Sequence, residues 1–142
     1  MDIKSFVLIK REEQYLLIQE ASFKWRGKWF LPGGNVKEGE PPEIAVLREA
    51  REEAGCDVKL EGIFYIKCYR GLFNSKLHLF YCGTIIGDQI KTHEDKHSLG
   101  AQWFTYDEIS KLPLRQKMMG IVNAYSNFKN SLPPHNFKVI TR

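Results

Sequence analysis

The sequence predicts a single α+β domain over residues 1–142, and three observations carry that expectation. Strand-like runs rich in β-branched and aromatic residues are spread along the chain, two segments carry apolar residues at helical spacing, and no repeat, low-complexity stretch or linker divides them. With 142 residues and 43% hydrophobic content, the chain is long enough for one core and too short for two comfortable ones.

Taken in order, Ile3 to Ile9 and Gln14 to Gln19 read as a hairpin around Lys10-Arg11-Glu12-Glu13. Leu31-Pro32-Gly33-Gly34 reads as the end of a strand running into a turn, where glycine lets the backbone approach a ligand closely. A helix is expected to start at Gly39-Glu40-Pro41-Pro42, since proline suits the first turn and Glu40 and Glu43 favour the positive end of the dipole; Gly55 would stop it. Ile44, Leu47, Ala50 and Ala54 then form its apolar face. Asp57 to Tyr69 and Lys76 to Ile86 read as strands flanking Arg70 to Ser75, and Gln102-Trp103-Phe104 as a further short one. Tyr106 to Ile109 starts a helical turn. From Leu114 to Phe128 the positions Leu114, Met118, Ile121, Val122 and Tyr125 predict a second amphipathic helix, with Met118 and Met119 as core filling.

Composition limits the function classes. No apolar run is long enough to span a bilayer, and the charged, alternating N-terminus lacks a signal-peptide core, so a soluble, cytoplasmic protein is expected. Cys56, Cys68 and Cys82 are odd in number and without metal-site spacing, which suggests reduced and mostly buried thiols. A net charge of +4, dispersed rather than gathered into a basic arm, favours anionic small molecules over polymeric nucleic acid.

The chemistry concentrates between Gly34 and Cys56. Glu49, Glu52 and Glu53 share one face of the expected helix, where like charges three and four residues apart repel. Arg48 can pair with Glu52 one turn on. Three converging carboxylates call for a hard divalent cation, and magnesium typically shares its shell with substrate phosphates. An ordinary solvated helix face has similar composition. The flanking glycines and Glu40 in register favour the metal site.

The span Gly34, Glu40, Arg48, Glu49, Glu52, Glu53 and Gly55 resembles the Nudix box, with Ala50 and Cys56 where larger aliphatic residues are usual. The resemblance implies an α/β/α sandwich with a mixed sheet, and hydrolysis of a nucleoside diphosphate linked to another group with Mg2+ or Mn2+. It makes Glu49, Glu52 and Glu53 metal ligands together with the Gly33 carbonyl, has Arg48 orient Glu49, and has Glu40 brace the loop and helix. It also implies that a homodimer is common. The general base is left open between box carboxylates such as Glu53 and a group outside the box, for which Glu94 is preferred to Asp95 in the charged loop Lys91 to His97; His93 and His97 are read as bystanders.

Phe23, Trp25 and Gly34 are candidate substrate-binding residues, the two aromatics by stacking on the base, whereas Trp29 and Phe30 read as core. Ile90-Lys91-Thr92, Glu94, Ser98-Leu99, Ala101, Trp103 and Leu114-Arg115 are similar to MutT-like members and to animal enzymes acting on oxidised guanine nucleoside diphosphates. The expected substrate is therefore a nucleoside di- or triphosphate, releasing a nucleoside monophosphate. ADP-ribose or another nucleoside diphosphate sugar is the alternative, set back by the lack of proline between Pro42 and Pro113. A non-catalytic nucleotide sensor is the other, set back by the three intact glutamates. A messenger-RNA cap hydrolase would need an RNA-binding surface that the sequence does not display.

Overall fold

The computed structural model describes residues 1–115 and 117–131. Its elements run β1 (Asp2–Arg11), β2 (Gln14–Glu20), β3 (Trp29–Phe30), β4 (Gly33–Asn35), α1 (Pro42–Ala54), β5 (Asp57–Arg70), β6 (Ser75–Ile86), β7 (Ser98–Thr105), α2 (Tyr106–Ile109) and α3 (Met118–Ser131). β1 lies at the centre of a mixed sheet, parallel to β6 and antiparallel to β4, with β5 antiparallel to β6. β2 pairs with β3 and β7. The expected β1–β2 hairpin is paired only at its tip, Lys10 to Tyr15 and Arg11 to Gln14. Beyond that tip β1 turns to β4 and β6, and β2 to β7, because each strand is buried on both faces and needs partners that carry it into the core.

Alternation along the strands splits the core in two. Phe6 and Leu8 of β1 and Tyr15 and Leu17 of β2 pack with Phe80, Phe104 and the Met118, Ile121, Val122 and Tyr125 stripe of α3. Val7, Ile9, Leu16 and Ile18 face the other way, against Val46, Ala50 and Ala54 of α1. Two helices covering opposite faces of the central strands make the α/β/α sandwich.

α1 starts as expected, with Pro41 at the cap and Pro42 in the first turn, and ends at Gly55 in a left-handed conformation (φ 67°). Its buried stripe is Ala45, Val46, Ala50, Glu53 and Ala54; Ile44, expected on that face, is exposed. The small alanines let the helix lie close to the sheet. α3 begins four residues later than its periodicity suggested. Leu114 instead bridges Trp29 in extended conformation, with Trp29 N–H donating to the Pro113 carbonyl and Arg115 N–H to the Trp29 carbonyl. Met118 is buried and Met119 packs at the edge of the same core. Cys56 and Cys82 are buried, but Cys68 is exposed, since it falls on the outward side of an outer strand. Among the described residues no helix is long and apolar enough to cross a membrane.

Candidate active site

The site is built where β4 meets α1. Gly33, Gly34 and Asn35 pair with Phe6, Ser5 and Lys4 of β1, so the expected turn is a short strand that lies beside the helix. A Cβ on Gly33 would come within 2.3 Å of the Ser5 carbonyl oxygen and 2.5 Å of the Phe6 ring, so no side chain is tolerated there. A Cβ on Gly34 would stand 2.9 Å from Glu49 Oε1. Backbone thus occupies the space that side chains would take, leaving the carboxylates of α1 directly against it.

Glu53 is only 8% exposed, and its Oε1 accepts from the Gly33 N–H at 2.7 Å. One hydrogen bond does not offset removing a carboxylate from water. Burial first, then the neighbouring Glu49 and Glu20, push its pKa well above the usual carboxylate range. Glu49 is shifted in the same direction by burial, against the opposing pull of Arg48.

Arg48 holds the other carboxylates. Its Nε donates to Glu40 Oε2 at 3.0 Å and its Nη2 to Glu40 Oε1 at 3.1 Å, while Nη1 reaches Glu49 Oε1 at 3.1 Å and Glu52 Oε2 at 3.3 Å. A further bond runs from Nη2 to the Asn35 carbonyl at 3.1 Å, tying helix to strand. The fork of Arg48 holds the Glu40 pKa down at about 2. Among the described residues no three acidic, histidine or cysteine side chains are gathered around a common metal position. The donor chemistry nevertheless fits a hard divalent cation: carboxylate oxygens on one helix face, the incompletely compensated Glu53, and a glycine backbone within reach.

The charged loop before β7 behaves unlike its sequence expectation. Glu94 is largely exposed and faces Arg26 at 3.8 Å, with no contact to the helix carboxylates in this structure. Asp95 is a brace: it takes the buried Lys91 ammonium and the backbone N–H groups of His97 and Ser98. The Lys91 Nζ also donates to the Glu52 carbonyl at 3.0 Å, fixing the loop to the end of α1. His97, read from the sequence as a bystander, brings its Nδ1 to 3.6 Å from Glu52 Oε2. A sequence offers no signal for that approach, because it depends on how Asp95 folds the loop.

A cavity of about 390 Å³ is floored by Phe6, the strand partner of Gly33, with Phe30 and Phe80, and walled by Trp25 and Tyr69. Trp25 is half-buried there, whereas Phe23 is fully exposed and does not line the cavity. Phe30 serves both as core and as cavity floor. Arg115 stands over the Trp25 and Phe30 rings at 5.0 and 4.6 Å and pairs with the buried Glu20 at 2.9 Å. Glu20, Lys4 and His78 carry no sequence signal of a shared site, and Arg115 only the Leu114-Arg115 likeness, since the four come from distant segments.

His78 also lines this cavity, with its ring against Phe6 and Tyr69 and its Nε2 buried without a hydrogen-bond partner. Burial first, then Lys4, Arg115, Lys76 and Lys67, lowers its pKa to about 4, so the ring is neutral near pH 7. The unfolded chain binds this proton near the ordinary value of 6.5, and the native state does so only near 4. Stability is therefore full above pH 6.5 and is lost as pH falls toward 4. After allowance for solvent screening, the effect is on the order of 1 kcal/mol. Denaturant melts of wild type and His78→Gln between pH 7 and 4.5 should converge as acid is added; parallel curves would contradict this.

A NUDIX domain model matches residues 3–125. "Putative nudix hydrolase 1" of Caenorhabditis elegans is 40% identical over 108 residues, covering 73% of this chain and 28% of that protein. The "8-oxo-dGDP phosphatase NUDT18" of Danio rerio is 29% identical over 128 residues, 88% of this chain and 38% of that one. The chain spans less than half the length of these relatives. A NUDIX hydrolase structure from Nitrosomonas europaea superposes with a TM-score of 0.79 over 98% of this chain and 97% of its own, at 22% identity, which speaks for the fold. The box residues gathered on α1, the sandwich around them and a family match over most of the length together establish that this chain belongs to the Nudix family.

Proposed function

We propose that this domain is a divalent-cation-dependent pyrophosphohydrolase that cleaves a nucleoside di- or triphosphate to a nucleoside monophosphate. The observation that carries the reading is the juxtaposition of Glu53, buried against Gly33, with an aromatic and cationic cavity floored by Phe6, the strand partner of that glycine. Glu49, Glu52, Glu53 and the Gly33 carbonyl are the ligands we assign to Mg2+, with Mn2+ as a substitute. When bound, such a cation neutralises phosphoryl oxygens and lowers the pKa of water.

The protein's own groups do the rest. Arg48 sets the rotamers of Glu49 and Glu52, and Glu40 fixes Arg48 in turn. Glu53 keeps one oxygen on the Gly33 N–H and presents the other as acceptor for the proton of the attacking water. As the water oxygen bonds to one phosphorus of the anhydride, the bond from that phosphorus to the bridging oxygen breaks and the bridging oxygen keeps the electron pair, so the products are the nucleoside monophosphate and phosphate from a diphosphate, or pyrophosphate from a triphosphate. Trp25, half-buried in the cavity wall, offers its ring for a base to stack on, beside Arg115, which covers the buried Phe30. The name of the Danio rerio relative supports an oxidised guanine nucleotide as one candidate.

Product analysis on nucleoside di- and triphosphates, oxidised guanine nucleotides, ADP-ribose and dinucleoside polyphosphates tests this. Rapid monophosphate release from one class, abolished by EDTA and restored by excess Mg2+, is the expected outcome. Tight binding without turnover of any compound would replace the enzyme with a nucleotide sensor.

A further inference from the structure

Seven of the sixteen residues lining the cavity are lysine or arginine and none is acidic. Arg115 is neutralised by Glu20; among the described residues none of the other six has a carboxylate at ion-pairing distance. Lys67 and Lys117 bring their ammonium groups to 4.8 and 6.0 Å from the centre of the same Tyr69 ring, although they come from β5 and from the turn before α3. Lys117 does so from a left-handed backbone (φ 67°), a conformation that a lysine rarely takes. Contact with Lys67 pulls the Lys117 pKa below its ordinary value, while the Tyr69 hydroxyl and then Lys117 push that of Lys67 up, so the two ammonium groups compete for one proton-binding position. Two cations held together with no counter-charge are costly unless an anion joins them.

That anion is not the pyrophosphate under attack. Phe6 pairs with both Gly33 and Phe80, so this row of the sheet marks the Glu53 contact. Lys76 and Tyr69 are paired four residues farther along β6 from Phe80, about 13 Å away at the usual strand rise. A pyrophosphate is two phosphorus centres long and cannot occupy both ends. Between them lie the aromatic floor and the neutral His78 with its unpartnered Nε2, which suit a nucleoside.

We propose that the far end of this cavity, around Lys67, Lys76 and Lys117, binds a second phosphate, a phosphomonoester remote from the scissile anhydride. The domain then prefers nucleotides that carry such a group on the ribose over their unphosphorylated counterparts. This rests on the pyrophosphohydrolase reading for which end of the cavity meets the anhydride, while the phosphate site itself is tested by binding alone.

The probes are AMP, adenosine 2′,5′-bisphosphate and adenosine 3′,5′-bisphosphate, with GMP and guanosine 3′,5′-bisphosphate as the second base, titrated calorimetrically in EDTA. At least one bisphosphate should bind wild type about tenfold or more tightly than its monophosphate, and the Lys67→Ala/Lys117→Ala variant should reduce that ratio to about two or less. Both lysines are at the surface or half-buried, so the variant should fold, which its circular dichroism checks. Equal affinity for mono- and bisphosphates, no binding of any probe, or a preference unchanged in the variant would each overturn the site. Turnover of coenzyme A and dephospho-coenzyme A with Mg2+ separates the two ideas. If neither is cleaved, nor any compound of the wider panel, while the binding preference holds, the hydrolase reading fails and the phosphate site stands. Cleavage with no binding preference gives the converse.

Discussion

Replacing Glu53 by glutamine is expected to lower kcat by about a thousandfold while the thermal midpoint stays level or rises. Glutamine keeps the shape of the side chain, and its amide oxygen can still accept from the Gly33 N–H, so the β4 and α1 contact survives. What disappears is a carboxylate whose burial is offset by a single hydrogen bond, and with it the proposed metal ligand and proton acceptor. Removing a poorly compensated buried charge does not destabilise, whereas removing the acceptor from the reacting water does harm the rate. Kinetics on the best substrate of the panel and a melt in EDTA read the two effects separately. A variant with more than a tenth of wild-type kcat would move the essential chemistry to another residue.

Arg115→Ala should cost about 3 kcal/mol of stability, the largest loss expected from a single site change outside the hydrophobic core. Arg115 and Glu20 are among the most enclosed ion pairs of the molecule, with side chains 16% and 11% exposed. Truncating the arginine leaves Glu20 buried without its partner and removes the guanidinium from the Trp25 and Phe30 faces. It also loosens the segment from Pro113 to Arg115, which is stitched to Trp29 before α3 begins. The double variant Glu20→Leu/Arg115→Met should recover most of the loss, because no charge is then stranded. Urea denaturation measures both; a single variant within about 0.5 kcal/mol of wild type would show that Glu20 finds water or another partner. Because Arg115 also faces the cavity, its loss should raise KM as well.

The box helix was legible because its signals are local. Proline in the first turn, Gly55 in the left-handed cap and carboxylates three and four residues apart act within one helix, and the structure keeps each of them. Strand existence was legible for the same reason, as alternating and doubly apolar runs reveal burial without any knowledge of partners. The buried face of α1 departs from the apolar spacing at Ile44, since that spacing leaves more than one stripe possible and the close approach of the sheet selects the alanine side. The hairpin forms where its turn signal lies but pairs only at its tip, because β1 leaves β2 for β6, and α3 starts later than its spacing suggests because Leu114 is captured by Trp29. Both are long-range pairings that outweigh local preference.

By itself, the sequence determined the family: carboxylates, glycines and Arg48 at fixed spacing, on a helix whose ends it also specifies. Only the tertiary structure decided which loop residue reaches the carboxylates, His97 rather than Glu94, and that Glu20, His78, Lys4, Lys67 and Arg115 share one cavity or its wall. The physical reason is separation along the chain. Helix periodicity brings neighbours three and four residues apart together wherever the helix lies, whereas residues from β1, β2, β5, β6 and the turn before α3 meet only after the sheet has paired and the two cores have closed around it.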